Sequence, residues 1–152
     1  MAARAFAFRP RYRGLAMAAI GVGGTVDVVA LAVLGAALLP LATGAIGIAL
    51  GVAYLASPTW KLEVVVDDDG LEVRSPKRRR FRVAWNDVVA VVASPSTHTC
   101  FVDGGSPDKS LVVPGDGAPA PYDLADKPAL FDAILAHVDP AKVTTVETLE
   151  KA

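Results

Sequence analysis

Residues 14–57 read GLAMAAIGVGGTVDVVALAVLGAALLPLATGAIGIALGVAYLAS, and Asp27 is the only charged side chain among them. About 20 apolar helical residues cross the roughly 30 Å hydrocarbon core of a bilayer. A stretch of 44 residues is too long for one crossing and suits two. Pro40, in the run Leu38-Leu39-Pro40-Leu41-Ala42-Thr43-Gly44, punctuates it, because proline disfavours helix in the residue before it. The pattern predicts a transmembrane hairpin at 14–57, with helices over 14–39 and 41–57 ended by Pro58. The second helix is short. If it fails to span, the outer turn moves towards Gly35 or the bilayer thins locally. Tyr54 and Trp60 fall where aromatic side chains collect at a membrane surface. A secretory signal has an apolar core of only about 7–15 residues, and a core hairpin of a soluble protein keeps a polar face. Neither description fits.

The flanks give an orientation. Arg4, Arg9, Arg11 and Arg13 precede the first helix without an acid, and no charge lies between the helices. Lys61, Arg74, Lys77, Arg78, Arg79, Arg80 and Arg82 follow the second helix. Basic residues stay on the cytoplasmic side of a membrane. The expectation is a multi-pass protein of the cytoplasmic (inner) membrane, with both ends in the cytoplasm. Residues 1–13 form its basic N-terminus.

From Pro58 onward the chain holds 11 of its 15 basic residues and 15 of its 16 acids. That balance excludes general nucleic-acid binding, which wants a strongly basic face. Cys100 is the only cysteine, so no internal disulfide forms, as suits a reducing cytoplasm. Residues 58–139 are long enough for one small domain, and 140–152 form a polar tail. Trp60, Leu62, Val64 and Val66 alternate with Lys61, Glu63, Val65 and Asp67 at the period of a half-buried strand. Asp67-Asp68-Asp69-Gly70, Ser75-Pro76-Lys77, Ser94-Pro95-Ser96 and Asp103-Gly104-Gly105-Ser106-Pro107 are turns. With a further break before the valine-rich run Asp87 to Ala93, they divide six short strands of an antiparallel meander. Asp126 is an expected N-cap, with Pro128 in the first turn. Leu130, Phe131, Ile134, Leu135 and Val138 then form one apolar helical stripe.

The segments Val65-Val66-Asp67-Asp68-Asp69-Gly70-Leu71-Glu72-Val73-Arg74 and Arg79-Arg80-Phe81-Arg82-Val83-Ala84-Trp85-Asn86-Asp87-Val88 resemble the opening of bacterial pleckstrin-homology-like (PH-like) domains. In that group a Gly-Leu-x-Val hairpin leads to a Trp-x-Asp-(Ile/Val) element, and two transmembrane helices often precede the domain. The resemblance covers about residues 60–138. It implies an α+β chain: a two-helix transmembrane hairpin, then an antiparallel β-sandwich or barrel closed by a C-terminal α-helix. The family's seventh strand has to come from near Tyr122. Eukaryotic relatives hold phosphoinositides with basic residues near their first hairpin. Here the basic cluster falls between the second and third strands of this reading, so that ligand is not carried over.

The cluster itself is Arg74, Lys77, Arg78, Arg79, Arg80 and Arg82. It reads either as contact with anionic lipid headgroups, at about 1 kcal/mol per basic residue, or as a solvated turn that enforces topology. Asp27 is expensive in a membrane and marks either a packing contact or a site. Packing is the reading favoured here, since residues 14–57 hold no second acid or base for a transport path. Gly47 and Gly51, with Gly21, Gly23 and Gly24 on the first helix, allow close helix approach. That approach is either within the hairpin or between copies. The aspartate run lacks the alternating ligands and terminal glutamate of a calcium loop. His98, His137 and Cys100 have no zinc spacing. No nucleophile elbow or phosphate loop occurs. The sequence therefore predicts neither enzyme, metal nor cofactor. It predicts a non-catalytic, membrane-tethered PH-like domain that binds or scaffolds protein or anionic lipid at the cytoplasmic face. The alternative is a small structural subunit assembled into a larger membrane complex, or with copies of itself, through the hairpin.

Overall fold

Arg4–Pro10, which the sequence reading leaves in a charged terminal segment, is a β-strand. Phe6 and Phe8 turn inward and are buried, while Arg4, Ala5, Ala7 and Arg9 are exposed. Two phenylalanines at strand period supply the burial that the arginines hide. The computed structural model describes residues 3–149. Its elements run β1 (Arg4–Pro10), α1 (Arg13–Ala32), α2 (Leu38–Leu55), β2 (Glu63–Val66), β3 (Gly70–Ser75) and β4 (Arg78–Ala84). They continue with β5 (Ala90–Ser94), β6 (Thr99–Asp103), β7 (Leu111–Val113), β8 (Tyr122–Leu124), α3 (Lys127–His137) and β9 (Val143–Thr145).

The chain divides into two units: Pro10–Pro58, and the segments up to Arg9 and from Thr59 onward. In the second of these the strands form a five-stranded sheet, β4-β3-β2-β1-β8, and a four-stranded sheet, β7-β6-β5-β9. The sheets do not close into a barrel. One edge is β4, whose Arg78, Arg79 and Arg80 are exposed, and charged side chains keep an edge from pairing. β1 pairs antiparallel with β2, matching Ala7 to Glu63 across more than 50 intervening residues. β9, in the stretch read as a tail, lies parallel to β5. Ser94 Oγ and Ser96 Oγ then donate to the Glu147 carbonyl at 2.7 and 2.9 Å and hold the segment down.

Apolar residues from both sheets and α3 form one core, with Val64, Leu71, Val91, Val113, Leu130 and Ile134 among its most buried members. α3 packs against β2 and β6. Asp126 occupies its N-cap position, but at φ 51° and with no side-chain cap bond. Gly70 is required by close approach. A Cβ there would sit 3.0 Å from the Ala84 Cα and closer still to the Val83 carbonyl oxygen.

The other unit is a helical hairpin whose turn lies at 33–37, not at Pro40. Gly35 and Ala36 take φ of 62° and 63°, and Ala36 N–H reaches back to the Ala30 carbonyl at 2.9 Å. Pro40 is the third residue of α2. Its missing N–H costs little there, because first-turn amides have no intrahelical acceptor. At 1.5 Å per residue the helices are about 30 and 27 Å long, the second holding 18 residues from Leu38. Both are long and apolar enough to cross a membrane.

Candidate functional site

A β-bulge sorts the six basic residues. Strand β3 pairs with β4 as Glu72↔Arg82 and Val73↔Phe81, then slips so that Arg74 faces Arg79 and Ser75 faces Arg78. The extra residue is Arg80, and a bulge of this kind moves one strand's side chains out of simple alternation. Arg74, Arg79 and Arg82 meet acids: Arg74 across the regular β2–β3 pairing, Arg82 at the regular pair before the slip, and Arg79 beyond it. Arg74 Nε lies 2.7 Å from Glu63 Oε1, and Arg79 Nε lies 3.2 Å from Glu72 Oε2. Arg82 reaches Asp67 at 3.0 Å and Glu72 at 3.4 Å. Glu72 is buried, so its two arginines are its compensation.

Lys77, Arg78 and Arg80 make no ion pair among the described residues. Arg78 and Arg80 line a hollow of about 330 Å³ with Leu62 and Ser75. Arg80 also borders a cleft of about 420 Å³ between β4 and β7, walled by Phe8, Phe81, Leu111 and Tyr122. The turn before β4 is held by Ser75 Oγ, which accepts from Arg78 N–H at 3.2 Å and donates to the Arg78 carbonyl at 3.1 Å. The pairings Ala7↔Glu63, Glu63↔Arg74 and Ser75↔Arg78 place this turn at one particular end of the sheet. That is the end where the chain leaves β1 and re-enters β2. With β1 counted, the cluster lies between the third and fourth strands, not the second and third.

The aspartate run is a turn stitched to the sheet. Asp67 Oδ1 accepts from Asp69 N–H at 3.0 Å and Gly70 N–H at 2.9 Å, and the Asp67 carbonyl accepts from Trp85 Nε1 at 2.8 Å. Trp85 in turn stacks on His137 at 5.2 Å between ring centroids. The Trp-x-Asp element is the sequence signal closest to that contact. Cys100 is fully buried, and burial pushes its thiol up to about 12, so it is no nucleophile.

In the hairpin, Gly47 and Gly51 face α1. A Cβ on Gly51 would meet the Ala16 carbonyl oxygen at 2.7 Å, and one on Gly47 the Ala19 carbonyl oxygen at 3.4 Å. Gly23 and Gly44 also face each other across the contact, whereas a Cβ on Gly21 or Gly24 would meet nothing within 4 Å. Asp27 is seated on Gly44, whose absent Cβ makes its room. Its Oδ1 is buried and has no hydrogen-bond partner. Only one glycine of the Gly21-Gly23-Gly24 group therefore lies in the helix contact, and the spacing of the sequence did not single it out.

Residues 61–130 match the family model described as the bacterial PH domain. No curated protein matches the chain, and no solved structure does.

Proposed function

Since residues 61–130 carry a bacterial PH domain, a type of binding or scaffolding module, we propose that this one is a non-catalytic module tethered to the inner membrane. The hairpin crosses the bilayer twice, and the domain works at the cytoplasmic face. Its ligand there is the anionic lipid surface, engaged by Lys77, Arg78 and Arg80. The carrying observation is that these three bases make no ion pair among the described residues and lie at the sheet end where the chain passes between β1 and β2. The topology supports the rest. Two strands paired in one sheet require both ends of the intervening hairpin on one side of a bilayer. The basic flanks then select the cytoplasmic side.

Three basic residues at about 1 kcal/mol each shift a docked–undocked equilibrium on the order of 100-fold. The test is backbone hydrogen exchange of the full chain in nanodiscs of zwitterionic lipid and of lipid with added phosphatidylglycerol. Residues 75–80 should exchange more slowly over the anionic lipid. Reversing Lys77, Arg78 and Arg80 to Glu should abolish the difference. Equal exchange in the two lipids for the natural chain defeats the lipid reading.

A further inference from the structure

Resting on the membrane reading, the hairpin holds an acceptor that it does not itself satisfy. Asp27 lies past the middle of α1. Its Oδ1 is buried against Gly44, and no hydrogen bond or ion pair of Asp27 occurs among the described residues. The polar groups within reach by sequence are already committed. Thr25 Oγ1 donates to the Gly21 carbonyl at 2.9 Å, and Thr43 Oγ1 donates to the Leu39 carbonyl at 2.9 Å. Each hydroxyl has one proton, and each has spent it on its own helix. The Tyr54 hydroxyl accepts from Tyr12 N–H at 3.0 Å, at the far end of the helices. Elsewhere the hairpin exposes large apolar side chains, including Val22, Val28, Val29, Leu31 and Ile46. An unpaired carboxylate among them is costly in hydrocarbon.

We infer that Asp27 is completed by a transmembrane helix of another protein that carries a lysine or arginine side chain near mid-bilayer. Charge complementarity selects this occupant. A second copy of the chain brings only another Asp27, because residues 14–57 contain no other charged side chain. Gly44 fixes the geometry. It leaves room for Oδ1 in the helix contact, while Asp27 as a residue stays only partly buried. The small residues Gly21 and Gly24, one to two turns away on α1 and without neighbours, permit a third helix to come close.

The test uses the full chain in lipid vesicles with synthetic leucine–alanine transmembrane peptides that carry lysine, leucine or aspartate at their centre. Energy transfer between labelled chain and labelled peptide reports association. The lysine peptide should bind about tenfold more tightly than the leucine peptide. Asp27→Asn, which keeps the shape of the side chain, should remove most of that preference. Equal binding of the lysine and leucine peptides overturns the inference. So does energy transfer between two labelled copies that Asp27→Asn abolishes, because Asp27 then serves a second copy. If Asp27→Asn does not fold, the three peptides on the natural chain decide the matter alone. Alkaline carbonate extraction separates the two levels: release of the chain from membranes defeats the membrane reading itself, whereas retention with indifferent peptides defeats only the partner.

Discussion

The hairpin and the sheet domain are built on opposite packing rules. The domain buries valine, leucine and phenylalanine between two sheets and a helix. The hairpin buries Ala16, Gly23, Ala30, Gly44 and Gly51 and turns its large side chains outward. Of the exposed large apolar residues, all but Val89 and Val112 lie between Tyr12 and Val52. Water rewards burial of large apolar groups. Lipid gives no such reward between helices, so close backbone approach through small residues takes over. One chain therefore places its bulk inside in one region and outside in the other, which is the physical content of reading the first region as membrane-embedded.

The two regions are nonetheless interleaved, and the largest expected effect tests that. β1 lies between β2 and β8 and contributes Phe6 and Phe8 to the core. Deleting everything through Pro58 removes a central strand and two buried aromatics, each worth about 3–5 kcal/mol. Typical domain stability is only about 5–15 kcal/mol. The deleted domain should show no cooperative urea transition by tryptophan fluorescence. Joining Arg9 to Lys61 through a short glycine-containing turn should restore one, because Phe8 N–H already bonds the Leu62 carbonyl at 3.0 Å and hairpin loops need about 2–5 residues. A cooperative transition in the simple deletion would break the interleaving.

A smaller effect sharpens the packing contrast. Gly51→Val should destabilise the hairpin by about 1–3 kcal/mol, because its Cβ would press on the Ala16 carbonyl oxygen and Ile20, each at 2.7 Å. Leu38→Ala, at a residue 84% exposed, should stay within about 0.5 kcal/mol. Titration with a denaturing detergent reads both. Were the leucine the costly one, the hairpin would be packed like a soluble core.

Legibility followed the same divide. The apolar stretch announced two helices, and β3 and β4 announced themselves by alternation. The turn of the hairpin was misplaced because proline is a breaker only where its N–H is missed, and the third residue of a helix does not miss it. β1 was hidden because its partner lies beyond the whole hairpin and arginines flank its two phenylalanines. β8 and β9 are three residues each, too short for a period. The basic run was legible as charge but not as two sets, since strand register and a one-residue bulge together decide which arginines meet acids.

The smallest effect concerns charge, which the domain compensates within itself at Lys127 and the hairpin leaves open at Asp27. Lys127 opens α3, where a cation opposes the helix dipole. Its Nζ lies 2.8 Å from Asp116 Oδ1 and 3.3 Å from Asp123 Oδ1. Burial alone would lower its pKa. The hydrogen bonds to Asp116 and Asp123 outweigh that and raise it above 10.5. A cation whose pKa is raised on folding contributes stability below its unfolded value and loses it as pH climbs through the folded one. Lys127→Met should therefore cost under about 1 kcal/mol at pH 7, since Asp116 is exposed and the pair is screened. The gap between natural and variant urea midpoints should narrow as pH rises past 10.5. A gap that is constant with pH would mean that Lys127 acts through its methylene stem, and the domain's side of the contrast would then rest on packing alone.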